Sequence, residues 1–194
     1  MWQEITHDTK GIDFDSKLYQ FFYRMEPLKQ KICAILLQFP PWFNYSEKHV
    51  NYVFRIINDS PLDYKLFLEL RNNTWFKIDI LSKFIDNSRT FLGTTYYKDI
   101  NPYYFPNQNS YYIRLIGDRE LESFGSVQRT QDKIVAELVE RVHALEISLN
   151  ITDIFIIVNN HFTGFSPETV NNLKKMWNLQ THRYDKQKRL TDYF

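Results

Sequence analysis

The stretch Leu66-Phe67-Leu68-Glu69-Leu70-Arg71 decides the fold, because it has the form of a buried strand that ends in two opposite charges. Successive side chains of a strand point to opposite faces, so Glu69 and Arg71 share one face and Leu70 lies on the other. Burying a carboxylate or a guanidinium group without a partner is unfavourable. A core strand therefore ends in this way mainly where it meets a polar cavity.

Three other apolar runs also end in polar side chains, at 34–38, 111–114 and 155–160, and helical patterns separate the runs. This alternation predicts an α/β fold with one parallel sheet whose functional edge lies at the C-terminal ends of the strands. A strand at 90–94 and a strand remnant at 1–6 bring the expected number of strands to about six. The usual barrel of this kind has eight strands. Either the sheet is open, or the chain lacks a first βαβα piece.

The length, composition and net charge of the chain indicate an intracellular globular protein, and we expect no cofactor. The chain has 194 residues, 43% of them hydrophobic, and a net charge of +1, which gives no global argument for nucleic acid or membrane partners. The single Cys33 excludes a disulfide framework and fits a reducing compartment. No apolar run is long enough to span a bilayer, so we expect a cytoplasmic location and no membrane partner. Gly-rich phosphate loops and zinc-finger spacings are absent from the sequence.

We expect two parts in the chain: a partial α/β barrel over residues 1–179 and a basic, flexible tail over 180–194. Within the first part, Ser46 is placed to cap a helix that runs to residue 58. Helices are also expected at 78–87 and, with the strongest apolar periodicity, at 130–147.

Five short motifs, in this order and spacing, resemble the YecE-like family of domains of unknown function, number seventy-two in that series. They are Ile5-Thr6-His7, Leu36-Leu37-Gln38-Phe39-Pro40-Pro41, Glu69-Leu70-Arg71 with Trp75-Phe76, Tyr112-Ile113-Arg114-Leu115 with Gly117, and Asn159-Asn160-His161 with Gly164 and Pro167. The resemblance implies a TIM-type (β/α) barrel with these motifs at its C-terminal mouth. It also implies a preceding segment with the first strands, so we expect an incomplete barrel that starts inside its third unit. Asn72 and Ile116 stand where many members have His, which weakens a catalytic interpretation.

The polar strand ends supply the candidate site, with Arg71 and Arg114 as bidentate donors to an anion such as phosphate and Glu69 as a base or metal ligand. The alternative is that Glu69 forms a satisfied internal salt bridge with one of these arginines. His161 is a second candidate acid, base or metal ligand, and His7 is a weaker candidate for the same role. The alternative for both is a hydrogen-bonded structural histidine. The candidate catalytic residues are therefore Glu69 and His161, and the candidate substrate-binding residues are Gln38, Arg71, Trp75, Arg114, Arg119, Asn159 and Asn160. The histidines are too scattered to predict a metal site.

The last eight residues, Gln187-Lys188-Arg189-Leu190-Thr191-Asp192-Tyr193-Phe194, have the pattern of a PIP-box, the peptide that binds the DNA sliding clamp. One 3₁₀ turn would bring Leu190, Tyr193 and Phe194 to one side as an apolar plug, while Gln187 hydrogen-bonds at a neighbouring pocket. Such peptides occur on archaeal and eukaryotic replication and repair proteins. The alternatives are a tail with chance aromatic residues and a tail that packs back on the barrel.

Three functions follow from these patterns. The first is a protein recruited to a PCNA-type sliding clamp in DNA repair or replication, with a barrel mouth that binds phosphate or nucleic acid. The second is an enzyme acting on a small phosphorylated or sugar-like substrate. The third is an interaction module without chemistry. Whether the protein is an enzyme stays open at this point.

Overall fold

The structure, a computed structural model, describes residues 1–8, 13–118, 120–147 and 150–182. The chain forms two compact units. Unit 1 consists of Met1–Leu115 and Asn150–Ile157, and unit 2 consists of Ile116–Leu149 and Val158–Phe194.

Unit 1 contains most of the regular structure, including the body of every strand. Its helices are α1 (Gln3–Thr6), α2 (Phe14–Met25), α3 (Glu47–Asp59) and α4 (Ile78–Leu81), with 3₁₀ segments at Glu26–Lys31 and Asn73–Trp75. Its strands are β1 (Ile35–Gln38), β2 (Leu66–Glu69), β3 (Thr90–Tyr97), β4 (Ser110–Gly117) and β5 (Asp153–Val158), the last two ending at the boundary with unit 2. Unit 2 contains α5 (Asp132–Glu146), α6 (Asn160–Thr163) and α7 (Ser166–Met176).

The five strands form one parallel sheet in the order β1-β2-β3-β4-β5, which confirms the predicted α/β class. In the described part of the chain the sheet is not closed into a barrel. The sixth strand expected near the N-terminus was wrong, because residues 3–6 form the short helix α1. Ile5 and Thr6 of this helix are buried, so tertiary packing rather than strand pairing accounts for the apolar pattern there.

The two faces of the sheet have different roles. Alternate residues of β2, such as Leu66 and Leu68, belong to the main hydrophobic core, which also holds residues of α2 and α3. Phe67 points to the other face. Its ring lies 5.4 Å from that of Phe91 and 5.6 Å from that of Tyr112, measured between ring centroids. Glu69 shares the parity of Phe67, so the polar end of β2 lies on this second face, next to a layer of aromatic rings.

The helices largely follow the sequence pattern. The predicted cap of α3 is confirmed, since Ser46 Oγ accepts a hydrogen bond from His49 N–H at 3.2 Å. Helix α5 begins and ends within two residues of the predicted bounds, but α4 is one turn where ten residues were expected. No described helix combines the length and the apolar character needed to cross a membrane.

Candidate functional site

The site begins with the register of β1 and β2. The two strands run parallel, with Gln38 directly beside Glu69. Neighbouring residues in register point to the same face of a sheet, so these two side chains lie together. Arg71, two residues beyond Glu69, and Arg114, near the end of β4, have side chains that reach the same place. We call Gln38, Glu69, Arg71 and Arg114 the Glu69 cluster.

Hydrogen bonds connect all four members of the Glu69 cluster. Glu69 Oε1 accepts a hydrogen bond from Arg71 Nε at 2.7 Å, and Glu69 Oε2 accepts one from Arg114 Nη1 at 3.1 Å. The side-chain oxygen of Gln38 accepts from Arg71 Nη2 at 2.9 Å and from Arg114 Nη1 at 3.0 Å. Two guanidinium groups thus meet one carboxylate and one amide oxygen, which leaves the cluster with a net charge of +1.

Burial separates the roles of the three charged side chains. Glu69 is fully buried, and Arg71 is 5% exposed with its guanidinium carbon 5.5 Å from the ring centroid of Tyr97. Arg114 is more accessible, with a side chain that is 19% exposed. Both carboxylate oxygens of Glu69 are already engaged by arginines. This geometry favours Glu69 as the group that positions Arg71 and Arg114, rather than as a base that meets a ligand.

A cavity of about 310 Å³ opens beside the Glu69 cluster, and we call it the Arg114 cavity. Its polar lining is provided by Gln3, Thr6, His7, Gln38, Tyr112 and Arg114. Met1, Leu36 and Ile157 complete the wall. Arg114 and Gln38 therefore belong to both the cluster and the cavity, so a ligand in the cavity would meet a cationic side chain held in place by Glu69.

Tyr112 is a cavity residue that the sequence did not assign to the site, and His7 is one that the sequence gave only as a weaker candidate. His7 follows the last residue of α1, and its Nδ1 is hydrogen-bonded to Thr6 Oγ1 at 2.9 Å. Tyr112 is two residues before Arg114 in β4 and so points to the same face. That parity is a signal that could have identified Tyr112. For His7 the only signal was the motif at residues 5–7, because its position depends on the unexpected helix.

The other unit 1 residue predicted to bind substrate, Trp75, lies in the core. Its side chain is fully buried, its Nε1–H donates to Phe43 O at 2.6 Å, and its ring stacks on that of Phe43 at 5.6 Å. In this conformation neither face of the indole ring is available to a ligand. This corresponds to the commoner use of such aromatic residues, which is packing beneath loops.

The remaining predicted site residues that the structure describes are in unit 2, at the start of α6. They are Asn159, Asn160 and His161. Asn160 Oδ1 accepts a hydrogen bond from Ser166 N–H at 3.0 Å, which ties α6 to the start of α7. The ring of His161 meets that of Phe124 edge-on at 4.8 Å, and its buried Nδ1 has no hydrogen-bond partner among the described residues. The backbone of Gly117, with φ of +82°, packs against the His161 carbonyl so closely that a Cβ would clash. The assignment of these residues to a substrate site stays a prediction.

Five predicted residues lie outside the described residues. They are Arg119 and the four clamp-peptide anchors Gln187, Leu190, Tyr193 and Phe194.

Within the described ranges, no group of three or more His, Cys, Asp or Glu side chains is arranged to hold a metal ion.

Unit 2 contains a larger cavity of about 430 Å³, but its chemistry is less suited to a ligand. Arg129 lines it, and both terminal nitrogens of this arginine are bound to Asp118, at 2.5 and 2.6 Å. Its remaining wall includes the apolar side chains of Val127, Val135 and Leu173. The Arg114 cavity is therefore the better candidate despite its smaller size.

Comparison with known proteins places the chain in a sequence family. Residues 1–192 match the family described as "Protein of unknown function DUF72". No curated protein matches the chain. A crystal structure of a DUF72 family protein from Thermotoga maritima is 21% identical, has a TM-score of 0.67, and is matched over 87% of this chain and 67% of its own. A DUF72 family protein from Enterococcus faecalis V583 is 25% identical with a TM-score of 0.66, over 84% of this chain and 68% of its own.

Proposed function

This chain belongs to the DUF72 family of proteins of unknown function, and we propose that its Arg114 cavity binds an anionic ligand, in the first place a phosphate group. The observation that carries the proposal is the position of Arg114. This residue lines the cavity, is partly exposed, and is held by Glu69 and Gln38.

The charge of the Glu69 cluster supports an anion rather than a cation as the ligand. The cluster has two guanidinium groups and one carboxylate, and the carboxylate is buried behind the guanidinium groups. A ligand in the cavity therefore meets the guanidinium group of Arg114 rather than a carboxylate, which favours an anion. A guanidinium group also offers planar donor geometry that matches phosphate.

The size of the cavity favours a small ligand over a nucleic acid duplex. Ligand pockets typically span about 300–1,000 Å³, and the Arg114 cavity, at about 310 Å³, lies at the lower limit. A phosphorylated metabolite fits this volume. Of nucleic acids, a terminal phosphate or a single flipped-out nucleotide is the most that the cavity would accept.

Calorimetric titration with inorganic phosphate tests this function. We expect saturable binding by the wild-type protein and at least a tenfold loss in Arg114→Gln. The matched control is Arg24→Gln, which removes the same charge from an exposed position of α2 in unit 1. Thermal unfolding of both variants checks that they are folded. Equal binding by the wild type and Arg114→Gln would rule out the cavity as the anion site.

A second candidate function is recruitment to a PCNA-type sliding clamp, and it is favoured by the clamp-peptide pattern of residues 187–194. The aliphatic and aromatic positions at 190, 193 and 194 match the spacing that one 3₁₀ turn brings to one side. Recruitment would bring the Arg114 cavity to DNA that is under repair or replication.

Titration of the chain into the sliding clamp of its own organism tests this recruitment. We expect micromolar or tighter binding that the double change Tyr193→Ala/Phe194→Ala abolishes. The control Thr191→Ala/Asp192→Ala alters the positions between the anchors and should bind nearly as well as the wild type. No binding by the wild type would reduce the pattern to coincidence.

We also propose that the parallel sheet is part of a TIM-type barrel. Its strand order follows the chain without reversal, so every connection moves one strand in the same direction, whereas doubly wound sheets reverse at a switch point. The Glu69 cluster at strand C-terminal ends also fits the position of sites in such barrels.

A further inference from the structure

We propose that the ligand of the Arg114 cavity is a small phosphorylated polyol of the sugar phosphate class. Arg114 would hold its phosphate, and His7 and Tyr112 would bind its hydroxyl groups. This inference rests on the proposed anion site and adds what the rest of the ligand must be.

The distribution of charge along the cavity wall limits the ligand to one anionic group. Arg114 is the one cationic side chain among the described residues that line the cavity, since Arg71 lies behind it in the Glu69 cluster. The other polar lining consists of amide, hydroxyl, phenol and imidazole groups and of the Met1 α-amino group, which donates a hydrogen bond to Leu36 O at 3.2 Å and whose pKa burial lowers. A ligand with two phosphates would leave one of them without a guanidinium partner, and a ligand with a single phosphate would not.

His7 and Tyr112 each have a polar atom to offer. Nδ1 of His7 is bound to Thr6 Oγ1, while Nε2 has no hydrogen-bond partner within the described ranges. The phenol oxygen of Tyr112 likewise has no partner in the part of the chain that the structure describes. Polar groups that line a cavity without partners favour a ligand that supplies hydrogen bonds.

Both groups are in the uncharged form that suits a hydroxyl group. Burial, and then the positive charge of Arg71, lower the pKa of His7. Burial raises the pKa of the Tyr112 phenol. A neutral imidazole and a neutral phenol can each form hydrogen bonds with alcohols, whereas a second anion would prefer a protonated histidine.

The remaining wall provides an apolar surface for the carbon skeleton. Leu36 and Ile157 line the cavity, and the ring of Tyr112 adds an aromatic surface. Sugar phosphates combine one anion, several hydroxyl groups and a C–H face, which is the combination that this wall presents. Their size fits a cavity of about 310 Å³.

The test compares three probes by calorimetric titration at pH 7.5: ribose 5-phosphate, inorganic phosphate and ribose. We expect ribose 5-phosphate to bind at least tenfold more tightly than inorganic phosphate, and ribose to bind more weakly than either. Tyr112→Phe should weaken ribose 5-phosphate about three- to tenfold, the effect of one hydrogen bond, and leave inorganic phosphate unchanged. His7→Phe should act in the same direction, and Tyr19→Phe, at an exposed position of α2, should change neither probe.

The outcomes separate this inference from the proposed function. Equal affinity for ribose 5-phosphate and inorganic phosphate would overturn the sugar phosphate assignment and leave the anion site standing. A Tyr112→Phe variant that loses both probes equally would overturn the role of Tyr112 in binding hydroxyl groups. If neither ribose 5-phosphate nor inorganic phosphate bound at all, the anion site itself would be overturned, and the sugar phosphate assignment with it.

Discussion

The buried carboxylate of Glu69 makes a quantitative prediction about stability. The change Glu69→Gln keeps the size of the side chain but removes its negative charge. Arg71, whose side chain is only 5% exposed, would then lose the carboxylate that it is paired with, and Arg114 would lose the same carboxylate. The amide nitrogen of the new glutamine would also face guanidinium donors. We therefore expect a loss of stability well above that of an ordinary surface substitution.

The size of this loss follows from the burial of the pair. Removing one partner of a buried ion pair lowers the free energy of unfolding by about 3–5 kcal/mol. For a chain of this length, that loss corresponds to a fall in melting temperature of roughly 6–20 °C. Denaturant unfolding measures it directly by tryptophan fluorescence, to which Trp75 in the core of unit 1 contributes.

The matched control is Glu4→Gln, an exposed glutamate of α1 in the same unit, which should change the free energy of unfolding by less than about 0.5 kcal/mol. A Glu69→Gln variant that is as stable as this control would contradict the assignment of Glu69 as the counter-charge of the two arginines. It would mean that Arg71 and Arg114 do not depend on Glu69 for charge compensation, and that the cluster is hydrated to an extent inconsistent with its burial.

Two further predictions concern other polar contacts. Gln108→Ala should lower the free energy of unfolding by about 2–4 kcal/mol, because the Gln108 amide bonds both the N–H and the carbonyl of Leu92 in a buried position, and denaturant titration measures this loss. The ion pair with Arg129 holds the pKa of Asp118 well below its ordinary value. The stabilisation is therefore fully present above about pH 4 and decreases as the pH falls towards the lowered pKa, so the stability advantage of the wild type over Asp118→Asn should shrink in acid. Melting temperatures of both proteins between pH 7 and pH 2 check this, and a constant difference would contradict it.

The Glu69 cluster could be predicted from sequence because two simple rules determine it. Side chains alternate along a strand, so Glu69 and Arg71 had to share a face. Parallel strands bring their C-terminal ends to one edge of the sheet, so Gln38 and Arg114 were expected near them. What the pattern left open was whether the charges meet a ligand or one another. The structure answers in part: Glu69 and Arg71 satisfy each other, and Arg114 also faces a cavity.

Other features depend on tertiary packing that no local pattern encodes. Residues 3–6 are too few to show a period, so their helical form, and with it the position of His7, was not predictable. Trp75 comes soon after the polar end of β2 in the sequence. An aromatic residue that binds a ligand at the edge of the sheet would have the same position in the sequence. Its burial against Phe43 depends on the loop that follows β1, which lies more than thirty residues away in the chain. The sequence pattern therefore predicts the polar edge of the sheet but not every side chain that lines it.

The most direct test of the central claim is a phosphate titration followed by NMR, with backbone amide signals assigned to individual residues. We expect saturable shifts at His7, Gln38, Tyr112 and Arg114, with no comparable shifts around the unit 2 cavity near Arg129. The same titration of Arg114→Gln should show little response. Saturable shifts centred on unit 2, or an undiminished response in Arg114→Gln, would contradict the claim that the Arg114 cavity is the anion site of this protein.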